Sequence, residues 1–223
     1  MTEPVSPAQG LACLHLFCVL SPDADRGAIA AAVHGFEPEG QVVSVALLGH
    51  HADLAVMALA DDWWKLRHLQ SALERAGCEV VDSYVSLTEL SEYTAGLPEE
   101  HKQARLYPQL PPPGKPAWCF YPMSKRRGDA YNWFTLPFDQ RRELMAEHGV
   151  SGRKFAGRIV QLITGSTGLD DYEWGVTLFG QRPDDLKEVV YTMRFDQASA
   201  VYAEFGPFVT GICAPIDEVL AAF

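Results

Sequence analysis

The chain has 223 residues, of which 48% are hydrophobic and 21% charged, and its formal net charge is -11 at pH 7. A chain of this length buries a core without metal or disulfide support, and its composition is that of a folded globular protein rather than a disordered or fibrous one. The acidity argues against nucleic acid or an anionic membrane as a general partner, because both require a positively charged protein face.

The N-terminal residues and the cysteines indicate a cellular compartment. The segment MTEPVSPAQG contains Glu3 and two prolines instead of the basic start of a secretory signal. We find no apolar run of the roughly 18 to 20 residues that a membrane helix needs. The cysteines are scattered and odd in number, which is typical of free thiols rather than of a disulfide framework or a zinc site. We therefore expect a cytoplasmic protein without a membrane span, with free thiols at Cys13, Cys18, Cys78, Cys119 and Cys213.

The first half of the chain predicts the element order β-α-β-β-α-β. Ser21 or Asp23 is expected near the N-cap of the first helix, with Gly35 beyond its end, and Gly77 is expected to end the second helix. Alternating apolar residues and turn residues mark the strands. The predicted elements are a strand at 11–20, a helix at 21–35, strands at 41–49 and 52–60, a helix at 61–76 and a strand at 78–90.

The second half predicts the same order after a polar, proline-rich segment at 91–116. Three successive prolines exclude a central strand from that segment, so we interpret it as a linker or an ordered covering loop. Pro137 suits the first turn of its helix and Gly149 the residue just past its end. The predicted elements are a strand at 117–125, a helix at 137–147, strands at 158–165 and 172–180, a helix at 182–194 and a strand at 205–214.

The repeated order predicts an α+β fold of two tandem ferredoxin-like halves packed together, spanning residues 1–104 and 105–223. A pocket between the helix layer and the sheet is a natural ligand site in such a fold. The fold alone does not identify the ligand.

His148 is the first candidate for chemistry, because it shares a helical face with Leu144 and Met145. An imidazole on an apolar helix face is what the iron ligand of a haem protein looks like. The alternative is a histidine that interacts with the unpaired carbonyl groups at the end of a helix.

The strand at 117–125 carries the second candidate group. Its period of two aligns Tyr121, Met123 and Lys125 on one face. The alternative is an edge or bulged strand containing Pro122, with Arg126 and Arg127 as a solvated basic end.

The other histidines are weaker candidates. His50 and His51 lie in a predicted hairpin turn, His34 and His68 in surface helices, and His15 in a strand. No carboxylate or cysteine at ligand spacing supports a metal site at the His-His turn. We find no glycine-rich phosphate loop, nucleophile elbow or paired catalytic carboxylates.

The second half contains the long motifs RLYPQLP, CFYPMSKRR, NWF, EHGVSGRKFAGRIVQLITGSTGLDDYEWGVTLF and MRFDQASAVYAEFGPFVTG. Together these motifs resemble the coproheme decarboxylases of the chlorite dismutase superfamily. The resemblance runs from about Arg105 to Gly211, and in the first half it rests mainly on SYVSLTELSEY.

The resemblance implies a peroxide-dependent enzyme of bacterial haem synthesis. Its substrate and redox centre is iron coproporphyrin III (coproheme), of which two propionates become vinyl groups, with haem b as the product. It further implies two ferredoxin-like halves, usually assembled as a homopentamer. A ferrochelatase that inserts iron is implied as a transient partner.

The resemblance also implies roles for individual residues. His148 matches the iron ligand, Tyr121 the tyrosine whose radical takes hydrogen from the propionate β-carbon, and Lys125 a lysine beside the reacting propionates. Met123 matches a methionine at the porphyrin edge, and Gln161 the distal position above the iron. The residues that match propionate-holding groups are Arg105, Arg194, Ser199 and Tyr84.

Two features separate related activities. Chlorite-decomposing relatives have an arginine at the distal position, and the neutral amide of Gln161 holds a chlorine oxyanion less well. Some coproheme decarboxylases use a distal histidine as the base for peroxide; His101 does not fit that spacing, and we leave the base unassigned. The alternatives are a non-catalytic haem-binding or haem-delivery protein, a chlorite dismutase and a general peroxidase.

Overall fold

The computed structural model describes residues 3–94 and 96–223, and its strands form one sheet that closes on itself. The strands are β1 (Ala12–Leu20), β2 (Gln41–Leu48), β3 (Leu54–Ala60), β4 (Cys78–Thr88), β5 (Ala117–Lys125), β6 (Ile159–Gly165), β7 (Trp174–Gly180), β8 (Ala203–Phe205) and β9 (Val209–Cys213). The helices are α1 (Arg26–Phe36), α2 (Trp63–Arg75), α3 (Glu99–Leu106), α4 (Phe138–Arg153), α5 (Pro183–Met193), α6 (Gln197–Ala200) and α7 (Ile216–Ala221).

Each half has the strand order of a ferredoxin-like unit, which confirms the predicted fold. The orders are β4-β1-β3-β2 in the first half and β6-β7-β5-β9 in the second, all antiparallel. The halves join edge to edge, because β2 pairs with β9 and β4 pairs with β6. Eight strands therefore close a barrel, and β8 pairs with the end of β5.

Alternation along the strands divides the side chains between the barrel interior and an outer face that the helices cover. The interior is aromatic and apolar, with Trp118 and Phe120 of β5 among its buried residues. His15 is also buried there, 3.0 Å from Thr177 Oγ1, and burial lowers its pKa to about 3. His15 is therefore a neutral core residue.

The outer face of the first half is covered by α1, α2 and α7. Ile29, Val33 and Leu73 of the first two helices are buried against apolar residues of β1, β3 and β4. Leu220 of α7 completes the same cluster. This layer is a conventional helix-on-sheet core.

Three predicted positions at helix ends are wrong. Asp25, rather than Ser21 or Asp23, caps α1 by accepting a hydrogen bond from the Ala28 backbone at 2.9 Å, and Gly35 lies inside the helix. The helix α4 continues past Gly149 to Arg153. A glycine inside a helix costs only about 1 kcal/mol relative to alanine, so it does not have to end one. Gly77, by contrast, has φ +98° and follows α2 as predicted.

The segment at 91–116 contains more structure than predicted. A 3-10 turn at Glu92–Thr94 and the helix α3 lie in it, so its interpretation as a linker or loop is wrong in part. The proposed boundary between residues 104 and 105 falls inside α3. The helix α7 was not predicted either, and β9 is shorter than the predicted strand. Within the described ranges, no helix is long and apolar enough to cross a membrane, and all five cysteines are free.

Candidate functional site

The strand β5 is a central strand rather than the edge strand considered above. It pairs with β7 along its length and with β9 and then β8 on the other side. Pro122 is tolerated because the β9 ladder ends at Phe120 and the β8 ladder begins at Met123. The missing N–H of Pro122 faces this break, where its carbonyl accepts from the Gly206 backbone at 2.8 Å.

Tyr121 lies on the outer face of β5, buried between β5, β7 and two aromatic side chains. Its ring stacks on Phe208 at a centroid distance of 4.5 Å and meets the edge of Phe205 at 5.6 Å. Burial raises the pKa of its phenol well above the usual value near 10. The phenol is therefore protonated at neutral pH and available to give a hydrogen atom.

Lys125 lies at the end of the same file and is also buried. Its Nζ donates to the Ala198 carbonyl at 2.7 Å and lies 4.5 Å from the centroid of Trp133. Burial lowers its pKa to about 8, while the carboxylates of Asp196 and Glu173 oppose that shift. The ammonium is thus held against α6 and kept charged by two nearby anions.

Arg126 and Arg127 are not a free basic end. Arg126 Nε lies 3.5 Å from Glu204 Oε1, and Arg127 bonds to Glu173. The other carboxylate oxygen of the buried Glu173 accepts from the Lys125 backbone at 2.8 Å. Arg127 and Glu173 therefore fix the strand end that carries Lys125.

His148 lies on α4 with one ring nitrogen bound to a buried carboxylate. Its Nδ1 is 2.9 Å from Asp196 Oδ2 and 3.3 Å from Ser199 Oγ. Asp196 also caps α6 by accepting from the Ser199 backbone at 2.9 Å. A carboxylate on Nδ1 keeps the proton there and leaves the lone pair on Nε2, which is the arrangement of metal-binding histidines. None of the described residues hydrogen-bonds Nε2.

Two parts of the second half leave apolar side chains unburied. None of the sixteen residues of α4, all of them described, is buried. Ile163 of β6, Phe205 of β8 and Phe208, which follows β8, are exposed although they are large and apolar. An imidazole with a free lone pair and exposed apolar side chains are features that an iron porphyrin site requires.

The other candidate residues are spread over several elements. Gln161 is exposed on the outer face of β6 and pairs with Leu178, which packs in one cluster with Cys119 and Tyr121. Arg105 on α3 and Arg194 at the end of α5 are exposed. Ser199 contacts His148, as described above.

Tyr84 lies apart from the other candidates. It is buried in the barrel interior, packed on Phe120, with its hydroxyl 2.5 Å from Ser166 Oγ. Phe120 and Tyr121 point to opposite faces of β5. The structure therefore brings Tyr121, Met123 and Gln161 to one face and does not bring Tyr84 to it.

Sequence reasoning missed Asp196, Glu173 and Trp133. The spacing Asp196-x-x-Ser199 is an N-cap pattern that announces α6 and was the available signal. For Glu173 and Trp133 we find no local signal, because both contacts depend on how distant segments pack.

The other histidine candidates outside the core are exposed side chains. His101 is exposed on α3, and His50 and His51 are exposed in their turn. Over the described part of the chain, no group of three or more His, Cys, Asp or Glu side chains could hold a metal ion. A single imidazole whose Nδ1 is held by a carboxylate, as at His148, suits an iron that a macrocycle already coordinates.

The family model and the most similar relatives indicate the same family. The family model described as chlorite dismutase matches residues 26–214. A protein of Staphylococcus carnosus named coproheme decarboxylase is 40% identical and covers 100% of this chain and 99% of its own. Among solved structures, a heme-binding protein from Thermus thermophilus has a TM-score of 0.86 and 34% identity, covering 100% and 99% of the two chains.

A more distant neighbour supports the fold alone. A chlorite dismutase variant from Candidatus Nitrospira defluvii has a TM-score of 0.79 at 21% identity. It covers 97% of this chain and 96% of its own. The barrel of two ferredoxin-like halves is therefore common to proteins with very different sequences.

Proposed function

This chain belongs to the chlorite dismutase family, and we propose that it acts as a hydrogen peroxide-dependent coproheme decarboxylase. It converts two propionates of iron coproporphyrin III into vinyl groups and yields haem b. The observation that supports the proposal is a buried, protonated tyrosine on the outer sheet face of the half that also contains α4, where His148 has a carboxylate on its Nδ1. The full-length relative of that name supports the same activity.

His148 holds the iron of the substrate through Nε2. Asp196 accepts the Nδ1 proton and orients the ring, and Ser199 adds a second polar contact. A carboxylate partner also increases the electron donation of the imidazole to a metal. When bound, the iron porphyrin together with hydrogen peroxide supplies the oxidising equivalents of the reaction.

Tyr121 passes the oxidation to the propionate. Its phenol gives up a hydrogen atom and the resulting phenoxyl takes one from the β-carbon, which lies off the porphyrin ring. For each group, a propionate, one peroxide and one proton become a vinyl group, carbon dioxide and two waters. Phe205 and Phe208 exclude water from the ring of Tyr121.

The four carboxylates of coproheme need charge-assisted donors, even in an acidic protein. Lys125 provides an ammonium beside the reacting propionates, and Arg105 and Arg194 are exposed cations for the others. Met123 packs at the porphyrin edge. Ser199 is a further proposed propionate contact, whereas Tyr84, which is buried in the barrel interior, is not.

Gln161 would lie on the distal side of a bound porphyrin. Its neutral amide lacks the charge with which an arginine would hold a chlorine oxyanion, so chlorite decomposition is disfavoured. The base that takes the peroxide proton stays unassigned. We further propose a homopentamer in the cytoplasm that receives coproheme through transient contact with a ferrochelatase.

The deciding experiment is mass spectrometry of the porphyrin after peroxide is added to the coproheme-loaded protein. We expect two successive losses of carbon dioxide and hydrogen, ending at haem b. An unchanged or merely bleached porphyrin would exclude the activity.

A non-catalytic haem-binding protein is the second candidate, favoured by the name of the Thermus thermophilus structure. In that case Tyr121 merely lines the site. The two functions separate in the same mass spectra, because a binding protein leaves all four carboxylates in place.

A further inference from the structure

Three oxidisable aromatic side chains form a continuous row from the interior to the surface. The rings of Trp133 and Tyr202 meet edge to face at a centroid distance of 5.3 Å, and those of Tyr202 and Tyr131 at 6.3 Å. Trp133 and Tyr202 are buried, whereas Tyr131 is 52% exposed. At these distances the ring edges are in contact.

The inner end of this row lies beside the residues that position His148. Trp133 packs in one cluster with Ala198 and with Leu144 and Met145, which are one helical turn before His148 on α4. Ala198 precedes Ser199, whose hydroxyl is 3.3 Å from His148 Nδ1. The row therefore begins one side-chain layer from the proposed iron ligand.

We propose that Trp133, Tyr202 and Tyr131 conduct electrons inward and make Tyr131 a surface site at which one-electron donors of the small-phenol class are oxidised. The inference rests on the proposed function, because peroxide and the bound iron porphyrin supply the oxidising equivalents. Each donor phenol loses one electron and one proton, and two such donors reduce one peroxide to two waters.

The surroundings of the row favour oxidation at its outer end. The Lys125 ammonium lies 4.5 Å from the Trp133 ring and opposes a lasting positive charge on the indole. Tyr131, being exposed, releases its proton to water, and a neutral phenoxyl radical results. A radical formed at Trp133 is thus expected to pass through Tyr202 to Tyr131.

Tyr121 offers a contrast. The aromatic rings that contact it, among the described residues, are those of Phe205 and Phe208, and phenylalanine is far harder to oxidise than tyrosine or tryptophan. A radical formed at Tyr121 therefore stays on Tyr121 until it reacts with the propionate. When no propionate is present to react, electrons from Tyr131 reduce the oxidised centre instead.

The test uses the full-length protein loaded with haem b, whose reacting propionates are gone, and treated with hydrogen peroxide. We expect a tyrosyl radical in freeze-quenched electron paramagnetic resonance spectra. Without a donor, Tyr131 radicals of two molecules couple through a carbon–carbon bond, and a dityrosine peptide containing Tyr131 should appear. An added phenol, 2-methoxyphenol, should suppress the cross-link and be oxidised itself.

Matched variants separate the row from general damage. Tyr131→Phe should lose the cross-link, and Tyr202→Phe should lose it although Tyr131 is still present. Tyr191→Phe is the control, because Tyr191 is 56% exposed but contacts Phe195 instead of an oxidisable ring. Cross-linking at Tyr131 that survives Tyr202→Phe, or equal oxidation of Tyr191, would overturn the inference.

Conversion of coproheme to haem b by the same preparations distinguishes this inference from the proposed function. Haem b formation without oxidation of Tyr131 contradicts the surface site alone. Oxidation of Tyr131 without haem b formation contradicts the decarboxylase and leaves a peroxide-driven oxidation at the surface.

Discussion

The two halves of the barrel share one topology and differ in what fills the space between helices and sheet. In the first half, α1, α2 and α7 bury apolar side chains against the strands, with Leu73 and Ile29 fully enclosed. In the second half, α5 buries Leu186 and Val189 on the strands, but α4 has no buried residue, and Ile163 and Phe208 stay exposed. Helix packing is thus closed in the first half and partly open around α4 in the second.

This difference shows where stability and function lie. Apolar burial contributes about 25 cal/mol per Å² to folding, so the closely packed first half carries most of the stabilising helix-to-sheet contact. The second half keeps its polar groups, including Asp196 and Glu173, around two candidate catalytic side chains. Substitutions in the two halves should therefore affect different measurements.

Tyr121→Phe has the largest expected effect. The substitution keeps the ring stacked on Phe208 but removes the hydrogen atom that the reaction needs, so haem b formation should fall by at least about a thousandfold. Binding of coproheme, followed by its absorption spectrum, should be nearly unchanged. Haem b formation at the wild-type rate would refute the role of the phenol.

Leu73→Ala tests the first half. Truncating this fully buried leucine should lower the free energy of unfolding by about 2–5 kcal/mol, measured by urea denaturation of the ligand-free protein. Coproheme affinity should not change.

Ile163→Ala is the matched substitution in the second half. Because Ile163 is exposed on the sheet, the free energy of unfolding should change by about 1 kcal/mol or less, whereas coproheme should bind more weakly. If both variants lost stability equally, the two halves would not differ as described.

Asp196→Asn should weaken iron binding without removing it. An amide holds the His148 ring less firmly and donates less electron density through it, and loss of such a partner typically costs about 10–100-fold in metal affinity. Coproheme titration and the iron–histidine stretching frequency measure this change. A frequency equal to that of the wild type would show that Asp196 does not act through His148.

The pH dependence attributed to Lys125 is the smallest effect. Burial lowers its folded-state pKa from 10.5 to about 8, so the ammonium dominates below pH 8 and the neutral amine above it. Decarboxylation that uses the ammonium should decline as the pH rises through about 8. Glu173→Gln removes one of the opposing anions and should move this decline to lower pH.

The lowered pKa of Lys125 also predicts that stability changes with pH in the direction opposite to decarboxylation. Between the folded pKa and 10.5, the unfolded chain binds a proton that the folded protein does not, so the ligand-free protein gains stability as the pH rises across that window. Lys125→Met should remove this gain. If the free energy of unfolding depended on pH in the same way in the variant and the wild type, the lowered pKa would not belong to Lys125.

Much of the fold could be predicted because it depends on local patterns. Period-two alternation identified the strands, and glycine and proline positions identified most turns, including Gly77. Helix ends were less predictable: Gly149 suggested the end of a helix, but α4 continues to Arg153. The helix α3 was missed because its polar sequence lies in a segment dominated by prolines.

The sequence by itself determined the duplicated element order, the common face of Tyr121, Met123 and Lys125 on one strand, and a histidine on an apolar helix face. Each of these depends on residues that are neighbours along one strand or helix. Only the tertiary structure decided that Asp196 meets His148, that Glu173 meets Arg127, and that Tyr84 faces the barrel interior. These contacts join residues far apart along the chain, and strand register and helix packing, which no local period encodes, bring them together.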